Sequence, residues 1–184
     1  PYKNYSEWLT YSEMKRVPHS YLLDFSSKPK WSYVMGIEME GMLDTYEHYK
    51  EGNSAILDYL KEYPAKMIDE QGNITGYKYE DFNLDNVRTA KFILRMHNLF
   101  PTKGTEKALK TLFKQLQNQP RTKEGVYWHK AIYANQVWLD GIFMGLPFYC
   151  NYAVQTMKPK KAEKYLNDAV DQMVKTDYRT YDEK

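Results

Sequence analysis

The chain has 184 residues, enough for one domain of ordinary size or part of a larger one. Its 26 Lys and Arg against 24 Asp and Glu leave a formal net charge of +2, which argues against nucleic acid as a partner. A single cysteine, Cys150, excludes a disulfide framework and a thiolate metal site, and its apolar surroundings predict a small buried hydrophobe.

The opening PYKNYSEW has no charged-then-apolar leader, so no signal peptide is read there. The periodicity is helical nearly throughout, without the alternation that strands require. A first helix is expected over 4–17, ended by Pro18. A second spans 31–50, with Met35, Met39, Met42, Leu43 and Tyr46 on one face. A third spans 53–68, capped by Asn53 or Ser54. DEQGNITGY then breaks the pattern with two glycines. A fourth helix is read over 84–98 and a fifth over 104–118, stopped by Pro120. The sixth is placed at 134–156 with Asn135 as its cap, and the seventh at 160–175. Lys158, Lys160 and Lys161, followed by Glu163 and Asp168, read as a solvated helix start. The longest apolar run, 141–149, contains Pro147 and is too short to span a bilayer. No membrane partner is therefore expected, and the cytoplasm or periplasm is the expected compartment.

The helices alternate in character. Those at 33–50, 84–98 and 134–156 are rich in Gly, Met, Phe and small residues, whereas those at 53–68, 104–118 and 160–175 are apolar on one side only. Gly36, Asn86 and Gly141 mark starts of the first kind, 50 and 55 residues apart. A repeat of a buried helix and an amphipathic one predicts stacked helical hairpins, as an open solenoid or a closed ring. In a ring, one rim collects the N-termini of the inner helices, with their free N–H groups and partial positive charge. That rim suits a ligand carrying a carboxylate. Asp85 and Asp140 both fall early in inner helices and should face it.

Asp140 is unusual in itself, because it interrupts a run of Trp, Leu, Gly, Ile and Phe. A carboxylate there is costly to desolvate unless it is partnered or used. The 18 Tyr, 7 Phe and 4 Trp suit stacking on sugar faces and suit helix packing equally well. His19, His48 and His97 have no metal-ligand spacing, and there is no phosphate loop or nucleophile elbow, so neither metal nor cofactor is expected. Glu38 and Glu40 read as ordinary helix residues.

The stretch WHKAIYANQVWLDGIFMGLPFYCNYA, with His129, Lys130, Tyr133, Trp138, Leu139, Asp140, Gly141, Met144, Pro147 and Phe148, resembles the signature of the unsaturated glucuronyl and galacturonyl hydrolases, glycoside hydrolase family 105, related to family 88. NLDNVRTAK around Asp85, QNQPRTKEGVYWHK, YSEMKRVP and WSYVMGIEMEGMLDTY also resemble blocks of that family. The resemblance covers nearly the whole chain. It implies an all-α fold, the (α/α)6 barrel or six-hairpin toroid, of which residues 1–184 would supply about the first three hairpins. That is the N-terminal half of one catalytic domain. The family's later His-containing segment and Trp- and Arg-rich block have no counterpart here, so a missing C-terminal half or self-association is expected to cover the two raw edges.

The resemblance also implies a chemistry. The substrate would be an oligosaccharide ending in a 4,5-unsaturated uronic acid, with rhamnogalacturonan as the first candidate source, and the reaction would hydrate the double bond. Asp140 would be both proton donor and base, and Asp85 would tune it and hold substrate. His129 would bind a sugar hydroxyl or position water. Lys130 would pair with the uronate, Trp138 would stack on a ring, and Tyr33 would touch substrate. Two other classes remain: a helical-repeat binding module without catalysis, and another (α/α)6 carbohydrate enzyme such as a polysaccharide lyase or an inverting glucanase.

Overall fold

The protein was analysed as a computed structural model, in which residues 2–182 are described. Among these residues the secondary structure is helical: α1 (Tyr5–Arg16), α2 (Tyr33–His48), α3 (Ser54–Met67), α4 (Leu84–Leu99), α5 (Lys103–Asn118), α6 (Leu139–Thr156) and α7 (Pro159–Thr180). Two short 3-10 turns, Ser20–Leu22 and Tyr79–Asp81, and two isolated bridges, Ile68 to Ile74 and Arg121 to Tyr127, shape the connections.

Local chemistry sets most of the starts. The Asn4 side chain accepts from the Glu7 N–H, the Asn83 side chain accepts from Asp85, and Thr102 forms a reciprocal capping box with Thr105. Pro159 begins α7, where its missing N–H costs nothing. Asn53 does hold the cap position of α3, but its side chain does not cap. Its amide instead donates to Glu7 Oε1 at 2.8 Å and its oxygen accepts from the Tyr11 hydroxyl at 2.8 Å, pinning α1.

The packing follows the alternation. α2, α4 and α6 lie side by side as an inner layer, while α3, α5 and α7 back them in turn, and α1 rests on α2 and α3. Gly36 makes the close approach of α2 to α4 possible, since a Cβ there would stand 2.8 Å from the Thr89 Cα. The Thr89 hydroxyl donates to the Ser32 carbonyl and the Trp31 indole N–H to the Asn86 carbonyl, both at 2.8 Å, so the starts of α2 and α4 share one rim. α4 is buried on nearly every side, through Leu84, Val87, Ala90, Phe92, Ile93, Leu94 and Met96. α5 buries a single stripe, Ala108, Leu109, Leu112, Phe113 and Leu116. This is an arc of the double-layered (α/α)6 architecture. Its two edges leave apolar side chains open, among them Leu9 on α1 and Val174 on α7.

Three sequence expectations change. α6 begins at Leu139 rather than at 134, and Asn135 is no cap but a left-handed residue with φ 61°. The Gln136 carbonyl already accepts from the His129 N–H at 2.9 Å, which closes 129–136 into a compact loop and denies that acceptor to a helix. α7 continues to Thr180, because Lys175 donates to the Glu124 carbonyl at 2.6 Å and Arg179 pairs with the Glu124 carboxylate at 3.2 Å. Cys150 is only half-buried, packed against the core from α6, and burial pushes its thiol pKa up. Among the described residues, no helix is long and apolar enough to cross a membrane.

Candidate active site

Two loops meet at the rim of the inner layer. The Ala131 N–H donates to the Asp81 carbonyl at 3.0 Å, and the Leu84 N–H donates to the His129 carbonyl at 3.1 Å. The first loop ends in the Asn83 cap, so Asp85 lies in the first turn of α4. The second carries His129 and Lys130 past it. Asp140, in the first turn of α6, completes the group.

The distances are short. His129 Nε2 lies 3.1 Å from Asp85 Oδ1, and Nδ1 lies 4.0 Å from Asp140 Oδ1. Lys130 Nζ sits 2.8 Å from Asp85 Oδ2. One oxygen of each aspartate and one ring nitrogen of His129 all lie within 4.8 Å of one another. That spacing would suit the donors of a cation, but the Lys130 ammonium already supplies positive charge to Asp85. Gly141 makes room for the imidazole, because a Cβ there would stand 3.2 Å from His129 Nδ1. Trp138 stacks on the imidazole with centroids 4.2 Å apart and planes 9° off parallel, and Tyr133 stacks on Trp138 at 5.3 Å.

The two aspartates therefore differ. Asp85 is mostly enclosed, at 17% side-chain exposure, and bound to Lys130, whereas Asp140 is 52% exposed. Asp140 is therefore spared the cost of full desolvation although its sequence neighbours are apolar. It lies in the first turn of α6, where half of its side chain stays open. His129 is 1% exposed. Burial lowers its pKa, with Lys130 adding to that, while Asp85 and Asp140 pull the other way without reversing it. The ring is neutral at neutral pH. Nε2 faces Asp85 and Nδ1 faces Asp140, and neither buried ring nitrogen reaches hydrogen-bonding geometry with a partner.

The structure thus brings Asp85, His129, Lys130, Trp138 and Asp140 together. Tyr33, 38% exposed at the start of α2, lies on the same rim but outside this cluster. His129 is covered by Trp138 and lies between the acids, so its buried ring is not open to a sugar hydroxyl in this conformation. Lys130 is engaged by Asp85.

Sequence reasoning passed over two polar groups near these residues. Glu40 is not an ordinary helix residue: it is buried and ion-paired to the buried Arg88, with Lys91 Nζ 3.4 Å away. Arg88 lies one turn beyond Asp85 on α4, and its guanidinium stacks 4.6 Å from the centroid of the Phe143 ring. The clue was the same one that singled out Asp140, a charge in an apolar helix. Gln115 and Gln119 are also buried, and each falls one turn after a core leucine or phenylalanine of α5.

Sequence comparison places this geometry in a family. The model of Glycosyl Hydrolase Family 88 matches residues 5–184. The chain belongs to glycosyl hydrolase family 88. It is also similar to a solved glycoside hydrolase of family 105 from C. acetobutylicum ATCC 824, with a TM-score of 0.85 and 32% sequence identity. That match covers 99% of this chain and 47% of the other, so the chain spans about half the length of the structure it resembles. Both findings agree with the fold and with the signature around Asp140.

Proposed function

We propose that this chain carries the acid–base centre of a glycoside hydrolase that removes a terminal 4,5-unsaturated uronic acid from an oligosaccharide, with a galacturonic unit from rhamnogalacturonan as the leading substrate. The unequal state of the two aspartates is the observation that carries this reading. Asp85 is held by Lys130, so its charge is committed. Asp140 is open, next to a neutral imidazole and beside the partly exposed Trp138 ring, which offers apolar surface to a sugar.

The steps follow from that geometry. Asp140 gives its proton to C4 of the unsaturated sugar, and positive charge develops at C5 and the ring oxygen. The resulting carboxylate then takes a proton from the water that adds at C5, so one molecule of water is consumed and Asp140 is restored. The hemiketal opens, and the glycosidic link is lost with it. No side chain caps the start of α6, and although the Gly141 N–H donates to the Trp138 carbonyl, the N–H groups of Leu139 and Asp140 are left to meet the sugar's carboxylate. Asp85 and Lys130, locked together, hold sugar hydroxyls and fix His129.

The ring that such a site needs is proposed to be completed by further hairpins of the same polypeptide or by a second copy. The coverage of 47% of the matched structure supports this, as do the apolar side chains at both edges of the arc. The test mixes the complete polypeptide with lyase-generated unsaturated rhamnogalacturonan disaccharide and follows the ultraviolet absorbance of the conjugated acid. Loss of absorbance that disappears in Asp140→Asn supports the proposal. Unchanged absorbance with rhamnose-, glucosamine- and galactosamine-linked substrates would sink it, and would favour a binding module built on the same helices.

A further inference from the structure

Behind the rim, two buried glutamines, Gln115 on the outer helix α5 and Gln119 at its C-cap, form a hydrogen-bonded chain that ends on both site loops. The Tyr77 hydroxyl donates to Gln115 Oε1 at 2.8 Å. Gln115 Nε2 donates to Gln119 Oε1 at 3.1 Å and to the Asn83 carbonyl at 3.3 Å. Gln119 Nε2 donates to the Phe82 carbonyl and, at 2.9 Å, to the Trp128 carbonyl. Phe82 and Asn83 immediately precede α4 and Asp85, and Trp128 immediately precedes His129. Gln119 is 4% exposed and Gln115 is fully buried.

The direction of every amide is dictated. Turning Gln119 over would set its oxygen against two carbonyl oxygens and strand its amide group, at a cost that a buried polar group does not tolerate. Asn83, at the cap of α4, and Phe82, in the left-handed region at φ 41°, hold the first loop in a shape that needs such an anchor. The arrangement is more than packing, because an apolar side chain of the same size would fill the volume but leave the carbonyls of Phe82 and Trp128 without the shared donor that ties the two loops together from behind.

We infer that Gln119, steered by Gln115 and Tyr77, is a positioning residue that sets the separation of Asp85 from His129 and, through His129, the environment of Asp140. Its catalytic consequence rests on the reading of this rim as the reaction site; its geometric consequence does not. Removing the two donors lets the loops part, water reaches the imidazole, and the benefit of fixed geometry declines. Misplacement on the order of 1 Å is enough for a rate loss of roughly a hundredfold.

The experiment compares the complete polypeptide with its Gln119→Met and Tyr77→Phe forms. The His129 ring protons are followed by NMR titration, assigned by their loss in His129→Asn, and kcat and KM are measured on the unsaturated disaccharide. In folded Gln119→Met the His129 titration moves upward toward its ordinary value, and kcat falls roughly 10- to 100-fold with a smaller change in KM. Tyr77→Phe, which removes only the outer hydroxyl, shifts both readouts the same way by less. If Gln119→Met does not fold, Tyr77→Phe decides alone. An unmoved His129 titration in a folded variant overturns the inference. A wild-type protein with no activity on unsaturated sugars would overturn the proposed function instead, and the titration would still judge the positioning role.

Discussion

Two carboxylates in this protein sit beside aromatic rings, and they behave as opposites. Asp168 on α7 is gripped by both arms of Arg121 at 2.6 and 2.7 Å, and it also accepts from the Tyr149 hydroxyl at 3.1 Å and the Gln172 amide at 3.2 Å. Burial pushes its pKa up, but Arg121 and the two neutral donors outweigh that and hold it below the ordinary carboxylate value. Asp140 has no such grip. Its nearest polar neighbour among the site residues is His129 Nδ1 at 4.0 Å, and half its side chain is open. A carboxylate whose lone pairs are all taken holds helices together, while one with lone pairs free can move a proton.

The comparison is broken most sharply at Asp140. Asp140→Asn should lower kcat by about a thousandfold or more, as expected for loss of a general acid and base, with the melting temperature unchanged. A steady-state assay beside a thermal melt checks it. A melting shift comparable to that of an Asp168 variant would mean that the two carboxylates are not opposites. Asp168→Asn should do the reverse. Leaving Arg121 half-buried without its partner should cost about 2–3 kcal/mol of stability, with activity per folded molecule preserved. Urea unfolding reads the first quantity and active-site-normalised turnover the second.

The fold and the site were legible in the sequence to different degrees. The alternation of buried and amphipathic helices was visible because each helix repeats its own 3.6-residue pattern, and the spacings of the inner starts put Asp85 and Asp140 on one rim. The WHK and WLDG blocks carried the site only through their resemblance to a family, since nothing in the local pattern joins His129 to Asp85. Pairings across long loops stayed hidden. Lys130 reaches back to Asp85, and Arg88 reaches back to Glu40 across a whole hairpin. Such contacts depend on how the loops stack, not on local propensity. Asn135 misled for a related reason. It has a capping residue's chemistry, yet a hydrogen bond from His129 to Gln136 turns that segment into a loop and delays α6.

Gly141 sharpens the comparison on a smaller scale. It lies beside Asp140, and a methyl group there would meet both His129 Nδ1 and Leu84 Cδ1 at 3.2 Å. Gly141→Ala gains helix propensity but forces the imidazole or Leu84 to give by a few tenths of an ångström. The expected result is a loss of kcat of about tenfold with a stability change within about 1 kcal/mol. A variant that keeps full activity would show that His129 tolerates displacement and that its placement against Asp140 is loose.

The smallest effect concerns a third carboxylate, Glu38 on α2, which faces Glu13 on α1. Burial first, then the charge of Glu13 and a hydrogen bond with it, raise the Glu38 pKa from 4.5 to about 7, with Asp24 adding to the rise and Arg16 opposing it. The folded protein therefore binds a proton here that the unfolded chain releases. Stability from this group is fully present below about pH 4.5 and is lost as the pH rises through about 7. Glu38→Gln keeps the hydrogen-bonding shape without the charge, so it should be near neutral at pH 4.5 and stabilising at pH 8.5. Partial exposure screens the charge, and the gain should be only about 1 kcal/mol. Denaturant melts of both forms across that range test it. A constant difference at every pH would mean that Glu13 and Glu38 do not share a proton.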